Sequence, residues 1–158
     1  MGGASDATRA LWICGRTGST NQNVIEYVTI STTGNASDFG DATVTRSGVC
    51  ATSDETRSIA AGGISPWPTG GNYIDYVTTQ TTGNATDFGD LTAGRDMGGN
   101  AAASDGTYAV FIMGGTSSNP YTSNIIDYVT IQTTGNATDF GDSAAQAEKG
   151  GAVAGAAS

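Results

Sequence analysis

Residues 126–142 read IDYVTIQTTGNATDFGD, and two earlier stretches of the chain carry nearly the same sequence. Residues 74–90 read IDYVTTQTTGNATDFGD, and residues 25–41 read IEYVTISTTGNASDFGD. Residues 72–90 and 124–142 are identical at 17 of 19 positions, which chance does not produce. The copies begin 49 and 52 residues apart, a spacing typical of repeat architectures built from one supersecondary unit. We therefore predict a single domain, residues 1–158, with repeat units at about 5–52, 53–103 and 104–158.

Each repeat predicts four short β-strands. A strand ending in glycine is followed by a variable loop, a tyrosine-bearing strand, a Thr-Gly-Asn turn, a strand around a phenylalanine, and a segment of small residues. In the third copy, one face of the long strand carries Ile126, Tyr128 and Thr130, and the other carries Ile125, Asp127, Val129 and Ile131. Both faces are largely apolar, which favours sheets covered on both sides. The pattern predicts an all-β fold of stacked four-stranded sheets.

The order of these segments resembles the kelch repeat. Gly62-Gly63 and Gly114-Gly115 match the kelch double glycine, whereas Cys14-Gly15 departs from it, and the phenylalanines at 39, 88 and 140 stand where kelch repeats usually carry tryptophan. The sequence of residues 126–142 is also similar to repeats in structural and tail-fibre-like proteins of tailed phages, particularly marine cyanophages. The resemblances imply a kelch-like β-propeller that is associated with a virion and has a structural or host-contact role.

Three repeats imply that a second chain completes the ring. Kelch-like rings close at six or seven blades, and two-fold symmetry is the commonest oligomer symmetry, so we expect a homodimer of six blades. Three chains with nine blades are the poorer alternative. The positions of the termini predict that the chain starts on the second strand of one blade and ends on the first strand of another, so that the closing blade is shared. The residues expected at this subunit closure are Arg9, Leu11, Ile13, Ala152, Val153, Ala154 and Ala156.

The composition of the chain argues against several classes of function. The net charge is −9 and the six cations are scattered, which argues against nucleic acid or an anionic membrane as a partner. No apolar stretch is long enough to span a bilayer, and the first residues do not resemble a signal peptide. The chain has no histidine, which excludes Ser–His, Cys–His and histidine–metal sites. Cys14 and Cys50 either pair or remain as two buried thiols. No cofactor is expected.

Aspartate pairs recur at the same place in all three repeats, at 38/41, 87/90 and 139/142. A glycosidase uses one carboxylate pair at one site, and calcium loops have a denser spacing of acids. Hydrogen bonds from these side chains to nearby backbone N–H groups explain the recurrence better. The sequence therefore predicts no metal site and no enzymatic activity, with a carboxylate-dependent glycosidase as a distant alternative.

The variable loops at 16–22, 64–70 and 116–122 are free to specialise, because the rest of each repeat is nearly constant. Arg16, Trp67, Asn119 and Tyr121 are the candidate ligand-binding residues, and their aromatic and amide groups suit sugar recognition. The aromatic side chains could instead pack over their own loops or against a neighbouring blade. The leading interpretation is a structural or receptor-binding module of a phage-like particle that contacts a glycan or host-surface receptor. The alternatives are a free-standing lectin-like protein, or an engineered or truncated propeller fragment without a function of its own.

Overall fold

The computed structural model describes residues 1–65, 70–98, 102–117 and 121–147. These residues form strands, turns and irregular segments, and they contain no helix long and apolar enough to cross a membrane. The all-β prediction is confirmed. The described residues form three four-stranded antiparallel sheets. The first strand of the second sheet and that of the third begin within the preceding predicted repeat unit, at Cys50 and Ala102.

The strands follow one another in chain order within every sheet. The first sheet contains β1 (Gly2–Ser5), β2 (Arg9–Thr17), β3 (Thr20–Thr29) and β4 (Ser37–Arg46). The second contains β5 (Cys50–Ser53), β6 (Arg57–Ala61), β7 (Tyr73–Thr78) and β8 (Thr86–Asp90). The third contains β9 (Ala102–Ser104), β10 (Tyr108–Gly115), β11 (Thr122–Thr130) and β12 (Thr138–Ala147). The predicted order of segments thus corresponds to the observed order of strands.

An aspartate fixes the turn between the first two strands of each sheet. The Asp6 carboxylate accepts hydrogen bonds from the backbone N–H groups of Thr8 and Arg9, both at 2.7 Å. Asp54 and Asp105 accept the equivalent pairs in the second and third sheets. Desolvation opposes ionisation of Asp6, but these hydrogen bonds and one from Gln80 hold its pKa below the ordinary value. The repeated Ser-Asp therefore terminates one strand and starts the next.

A left-handed residue bends the second strand of each sheet near its end. Cys14, Gly62 and Met113 occupy this position with φ values of 56°, 67° and 60°. In the first and third sheets it coincides with a β-bulge next to Ile13 and Ile112. The structural counterpart of the Gly62-Gly63 pair is therefore Met113-Gly114, and the predicted match with Gly114-Gly115 is displaced by one residue.

The first strand of the first sheet comes from the same chain. Gly2 pairs with Ile13 and Ser5 pairs with Ala10 in an antiparallel ladder. This corrects the prediction that a partner chain supplies the strand, and the reason is steric. Gly2 lies against Cys50 and Ala51 of the second sheet, where a Cβ would find contacts of 3.0–3.1 Å, so the short Gly-Gly-Ala-Ser segment fits this crowded edge.

Two apolar cores lie between successive sheets, one in each junction. The first contains Leu11, Ile13, Ile25 and Phe39 from the first sheet, packed with Ala60 and Val77 from the second. The second contains Ile59, Ile74 and Phe88 from the second sheet, packed with Phe111, Val129 and Ile131 from the third. We call the side of a sheet that faces the next sheet its forward face, and the opposite side its rear face.

The residues predicted at the subunit closure separate into two groups. Leu11 and Ile13 are buried on the forward face of the first sheet, and Arg9 bonds from that face to the second sheet. These three residues therefore belong to a junction inside the chain, because their side chains point away from the unpaired face of the first sheet. Ala152, Val153, Ala154 and Ala156 lie outside the described residues.

Candidate functional site

A backbone latch joins each sheet to the Thr-Gly-Asn turn of the next. In the first junction, the N–H groups of Gly83 and Ala85 donate to the carbonyls of Phe39 and Asp41 at 2.7 and 2.8 Å. The Asp41 N–H donates to the Asn84 side chain at 3.0 Å. The second junction repeats all three bonds with Gly135, Asn136 and Ala137 acting on Phe88 and Asp90. The constant turn sequence thus connects sheets as well as strands.

A buried polar clamp accompanies the latch. In the second junction, Arg95 forms a 2.7 Å ion pair with Asp127, and the Thr92 hydroxyl donates to the same carboxylate at 2.6 Å. The first junction has the same arrangement, in which Arg46 lies 3.0 Å from Asp75, and Thr43 bonds to that carboxylate. All four charged residues are buried, so each clamp holds an ion pair away from solvent.

Each clamp arginine has at least one guanidinium nitrogen atom for which the described residues supply no hydrogen-bond acceptor. Within the described structure, no protein group accepts a hydrogen bond from Arg46 Nε and Nη1 or from Arg95 Nε. A buried ion pair gains little net stability when its remaining donors stay unpaired, although removing one partner leaves a costly isolated charge. We infer that the clamps fix how neighbouring sheets align more than they add to total stability.

A further cationic link lies near the first turn of each sheet. Arg9 donates to the Thr79 carbonyl at 3.3 Å, and Arg57 donates to the Ile131 carbonyl at 3.1 Å. Each guanidinium also lies over a tyrosine of its own sheet, 4.5 Å from the Tyr27 centroid in the first case. Beside these links, the Gln80 and Gln132 side chains bond to Asp6 and Asp54.

The forward face of the third sheet has no sheet to cover it. Phe39 and Phe88 are 3% and 2% exposed in the two junctions, whereas the equivalent Phe140 is 64% exposed. Tyr108, at the position of Arg9 and Arg57, is also exposed. Ala103, Val110, Tyr128 and Asp139 join these two aromatic residues in lining an open groove of about 690 Å³.

The rear face of the first sheet is uncovered in the complementary way. Ile30 is 55% exposed, whereas Thr79 and Ile131 at the same position are fully buried. Trp12 and Val24 are also exposed, and the counterparts of Trp12 are the buried Ala60 and Phe111. The described part of the chain therefore ends in two apolar faces, one at each end of the stack.

Two of the four predicted ligand-binding residues are described, and they lie on different sheets. Arg16 is exposed near the end of β2, and its guanidinium donates to the Ser19 carbonyl at 3.4 Å. Tyr121 is exposed immediately before β11, and its carbonyl accepts from the Thr116 N–H. Trp67 and Asn119 lie outside the described residues. Arg16 and Tyr121 both flank the connection between the second and third strands of their sheets, so these two residues lie on the same rim of the stack.

The recurring aspartates have several structural roles. Asp139 accepts a hydrogen bond from the Gly141 N–H at 3.0 Å, as the sequence predicted for this set. Asp41 and Asp90 take part in the latch mainly through their backbone N–H and carbonyl groups. In the described ranges, no cluster of three or more acidic, cysteine or histidine side chains has an arrangement that could hold a metal ion.

Both cysteines are buried free thiols, one of the two states that the sequence allowed. Burial raises the pKa of Cys50 to about 12 and also raises that of Cys14. A buried thiol that stays protonated is a poor nucleophile and a poor metal ligand. The two cysteines therefore serve packing.

The clamps are the feature that the sequence prediction missed. Arg46 and Arg95 recur in the repeats, and Asp75 and Asp127 interrupt strand faces that were predicted to be covered. A carboxylate buried among apolar residues requires a cationic or hydrogen-bonding partner. That requirement, combined with the repeated arginine, was the available signal.

No family model matches the chain, and no curated protein matches it either.

Proposed function

We propose that the chain is a non-enzymatic binding module that forms one half of a kelch-like β-propeller, six blades being completed by two copies. The observation that carries this proposal is the exposure of Phe140, because its counterparts Phe39 and Phe88 are buried by a following sheet. The forward face of the third sheet needs the rear face of a first sheet, which is the surface left open at the other end of the chain. A second copy supplies that face.

The latch supports a specific register for this contact. Gly34, Asn35 and Ala36 repeat the turn that bonds to the preceding sheet in both junctions, and all three are exposed. Phe140 and Asp142 repeat the strand that accepts such a turn. Three hydrogen bonds at about 1 kcal/mol each would join the covered apolar faces at every seam between the two copies. The contact joins two different faces, and we propose that its rotation closes after two chains, so that each copy covers both open faces of the other.

The binding role rests on the rim that carries the variable loops. Arg16 and Tyr121 are exposed there, and by sequence Trp67 and Asn119 belong to the variable segments of the second and third repeats. An aromatic face with neighbouring amides and hydroxyls suits a saccharide, whose C–H side stacks on the ring. We assign a glycan or glycosylated host receptor as the ligand class of this rim.

A glycan array probed with the wild-type assembly tests the binding role. We expect Trp67→Ala and Tyr121→Ala to lose the signal while the far-ultraviolet circular dichroism spectrum stays unchanged. Thr82→Ala is the matched control, because Thr82 is exposed on the opposite rim. An array without any signal, or equal binding by Trp67→Ala and Thr82→Ala, would contradict the assignment.

The structural role in a phage-like particle is supported by the resemblance of residues 126–142 to phage repeats. We expect the chain to co-purify with particles through a density gradient. Recovery only in the particle-free fraction would favour the free-standing lectin-like alternative.

A further inference from the structure

The seam between two copies would differ from the junctions within the chain at the polar clamp. In the first junction, the Arg46 guanidinium lies over paired residues on neighbouring strands, donating to the Ala60 carbonyl at 3.3 Å and pairing with Asp75. In the second junction, Arg95 pairs with Asp127, whose strand partner is Phe111. The first sheet carries Trp12 paired with Glu26 at this position. The carboxylate and an adjacent side chain are therefore retained on the rear face.

The opposite half of the clamp has been replaced by alanine. In the third sheet Ala147 pairs with Ser123, and in the first sheet Arg46 pairs with Gln22. Ser123 and Gln22 occupy equivalent positions in the repeat, so residue 147 corresponds to the clamp arginine. Ala144 corresponds to Thr43 and Thr92, which bond to the clamp carboxylate in the two junctions. A seam with the same register would thus contain a carboxylate without the guanidinium and hydroxyl that bind it elsewhere.

An aromatic residue beside the carboxylate does not obstruct a cation. Arg95 and Phe111 are both fully buried in the second junction, so a guanidinium and an aromatic ring fit there together. Tryptophan has the most favourable ring face for a cation. Among the described residues, none forms a hydrogen bond or ion pair with the Glu26 carboxylate, and the side chain is exposed in the single chain.

We propose, building on the two-chain ring, that each seam holds a pocket that binds the guanidinium or primary ammonium group of a small molecule. Glu26 binds the charge, Trp12 covers one face of the cation, and the other copy carries alanine at positions 144 and 147, where the junctions have a threonine and an arginine. The site is incomplete in one copy, because the carboxylate and the alanines belong to opposite ends of the chain.

Calorimetric titration of the wild-type assembly with ethylguanidinium and butylammonium chloride, against sodium chloride at equal ionic strength, tests the pocket. We expect saturable binding of one cation per chain, weakened about tenfold or more by Glu26→Gln because a charge-assisted hydrogen bond is lost. Glu55→Gln, which removes an exposed carboxylate elsewhere, should bind as the wild type does. Ala147→Arg should abolish binding while the assembly persists, because the introduced guanidinium fills the pocket.

Native mass spectrometry of the same samples separates the two proposals. A folded species with the mass of one chain would contradict the proposed ring. An assembled ring that binds no cation would contradict only the proposed pocket. An equal loss of cation affinity in Glu26→Gln and Glu55→Gln would also contradict the proposed pocket. Binding that appears only in Lys149→Met would show that Lys149 of the chain fills the site, and would refute an external ligand.

Discussion

At the scale of single residues, the two clamps show how a buried charge can specify alignment. Asp75 and Asp127 lie on apolar strand faces. Among the described residues, the guanidinium and threonine of the preceding sheet bind each carboxylate. The same strand position in the first sheet carries the exposed Glu26. Equivalent positions in one chain thus provide a natural comparison between a paired buried acid and an exposed one.

We expect Asp127→Ala to lower the free energy of unfolding by about 3–5 kcal/mol, because Arg95 is left buried without a counter-charge. Glu55→Gln is the control, because Glu55 is exposed outside the proposed seam, and it should change stability by less than about 0.5 kcal/mol. The double replacement Arg95→Met with Asp127→Leu should recover most of the loss, since it removes both charges. Urea unfolding followed by circular dichroism measures all three variants, and equal losses for Asp127→Ala and Glu55→Gln would contradict this account.

The Cys50 thiol should make the free energy of unfolding fall at alkaline pH. Its pKa is raised by burial from 9.0 to about 12, so above pH 9 the unfolded chain releases a proton that the folded chain retains. Stability contributed by this group is complete below pH 9 and is lost as the pH rises towards 12. Urea unfolding at rising pH should show a smaller alkaline loss for Cys50→Ala than for the wild type. Identical pH dependence would show that the thiol is not linked to folding.

Residue-scale features were only partly predictable from the sequence. The buried state of Cys14 and Cys50 and the hydrogen bond of Asp139 follow from local chemistry, and the structure shows both. The clamp joins residues such as Arg95 and Asp127 on different sheets, so its geometry depends on how the sheets stack. Strand periodicity indicates which face is buried, but it does not indicate which distant side chain lies opposite.

At the scale of the element, repetition made the strand order predictable, because one unit read three times gives the same four segments. The first strand, Gly2–Ser5, escaped this reasoning. Its Gly-Gly-Ala-Ser sequence has no β-branched or aromatic residue, so nothing in its local pattern predicts a strand. Its packing against the neighbouring sheet is tight at Gly2, where an added Cβ would lie 3.0–3.1 Å from residues of the second sheet and the segment before it.

Two equivalent glycines test the latch between elements. Gly89 and Gly141 have similar positive φ values of 144° and 133°, so alanine at either site has a similar backbone cost of about 1–3 kcal/mol. A Cβ on Gly89 would overlap the Gly135 carbonyl, whereas a Cβ on Gly141 has no neighbour within 4 Å. We expect Gly89→Ala to destabilise the chain more strongly in urea unfolding.

Gly141→Ala should leave the chain folded but prevent the two-copy assembly, because the added methyl would meet the turn of the second copy at the seam. Sedimentation velocity should then show a single chain for Gly141→Ala and a larger species for the wild type. An assembled Gly141→Ala variant would mean that the turn at residues 34–36 does not bind to this strand.

At the scale of the whole molecule, the two end faces differ in character from the internal junctions. Their apolar residues and latch groups match those of a junction, but the side-chain links do not. Tyr108 replaces Arg9 and Arg57, Ser31 replaces Gln80 and Gln132, and alanines replace the clamp threonine and arginine. The proposed seam therefore relies on backbone hydrogen bonds and apolar contact. Strand periodicity within one chain does not indicate such a contact, since the proposed covering surface belongs to another molecule.

Native mass spectrometry of the wild-type chain in volatile buffer near neutral pH tests the central claim most directly. Two copies that complete one ring predict a dominant species of twice the 15.8 kDa chain mass, with the compact charge distribution of a folded protein. A folded species at the mass of one chain would show that Phe140 and Trp12 remain exposed to solvent, and would contradict the account.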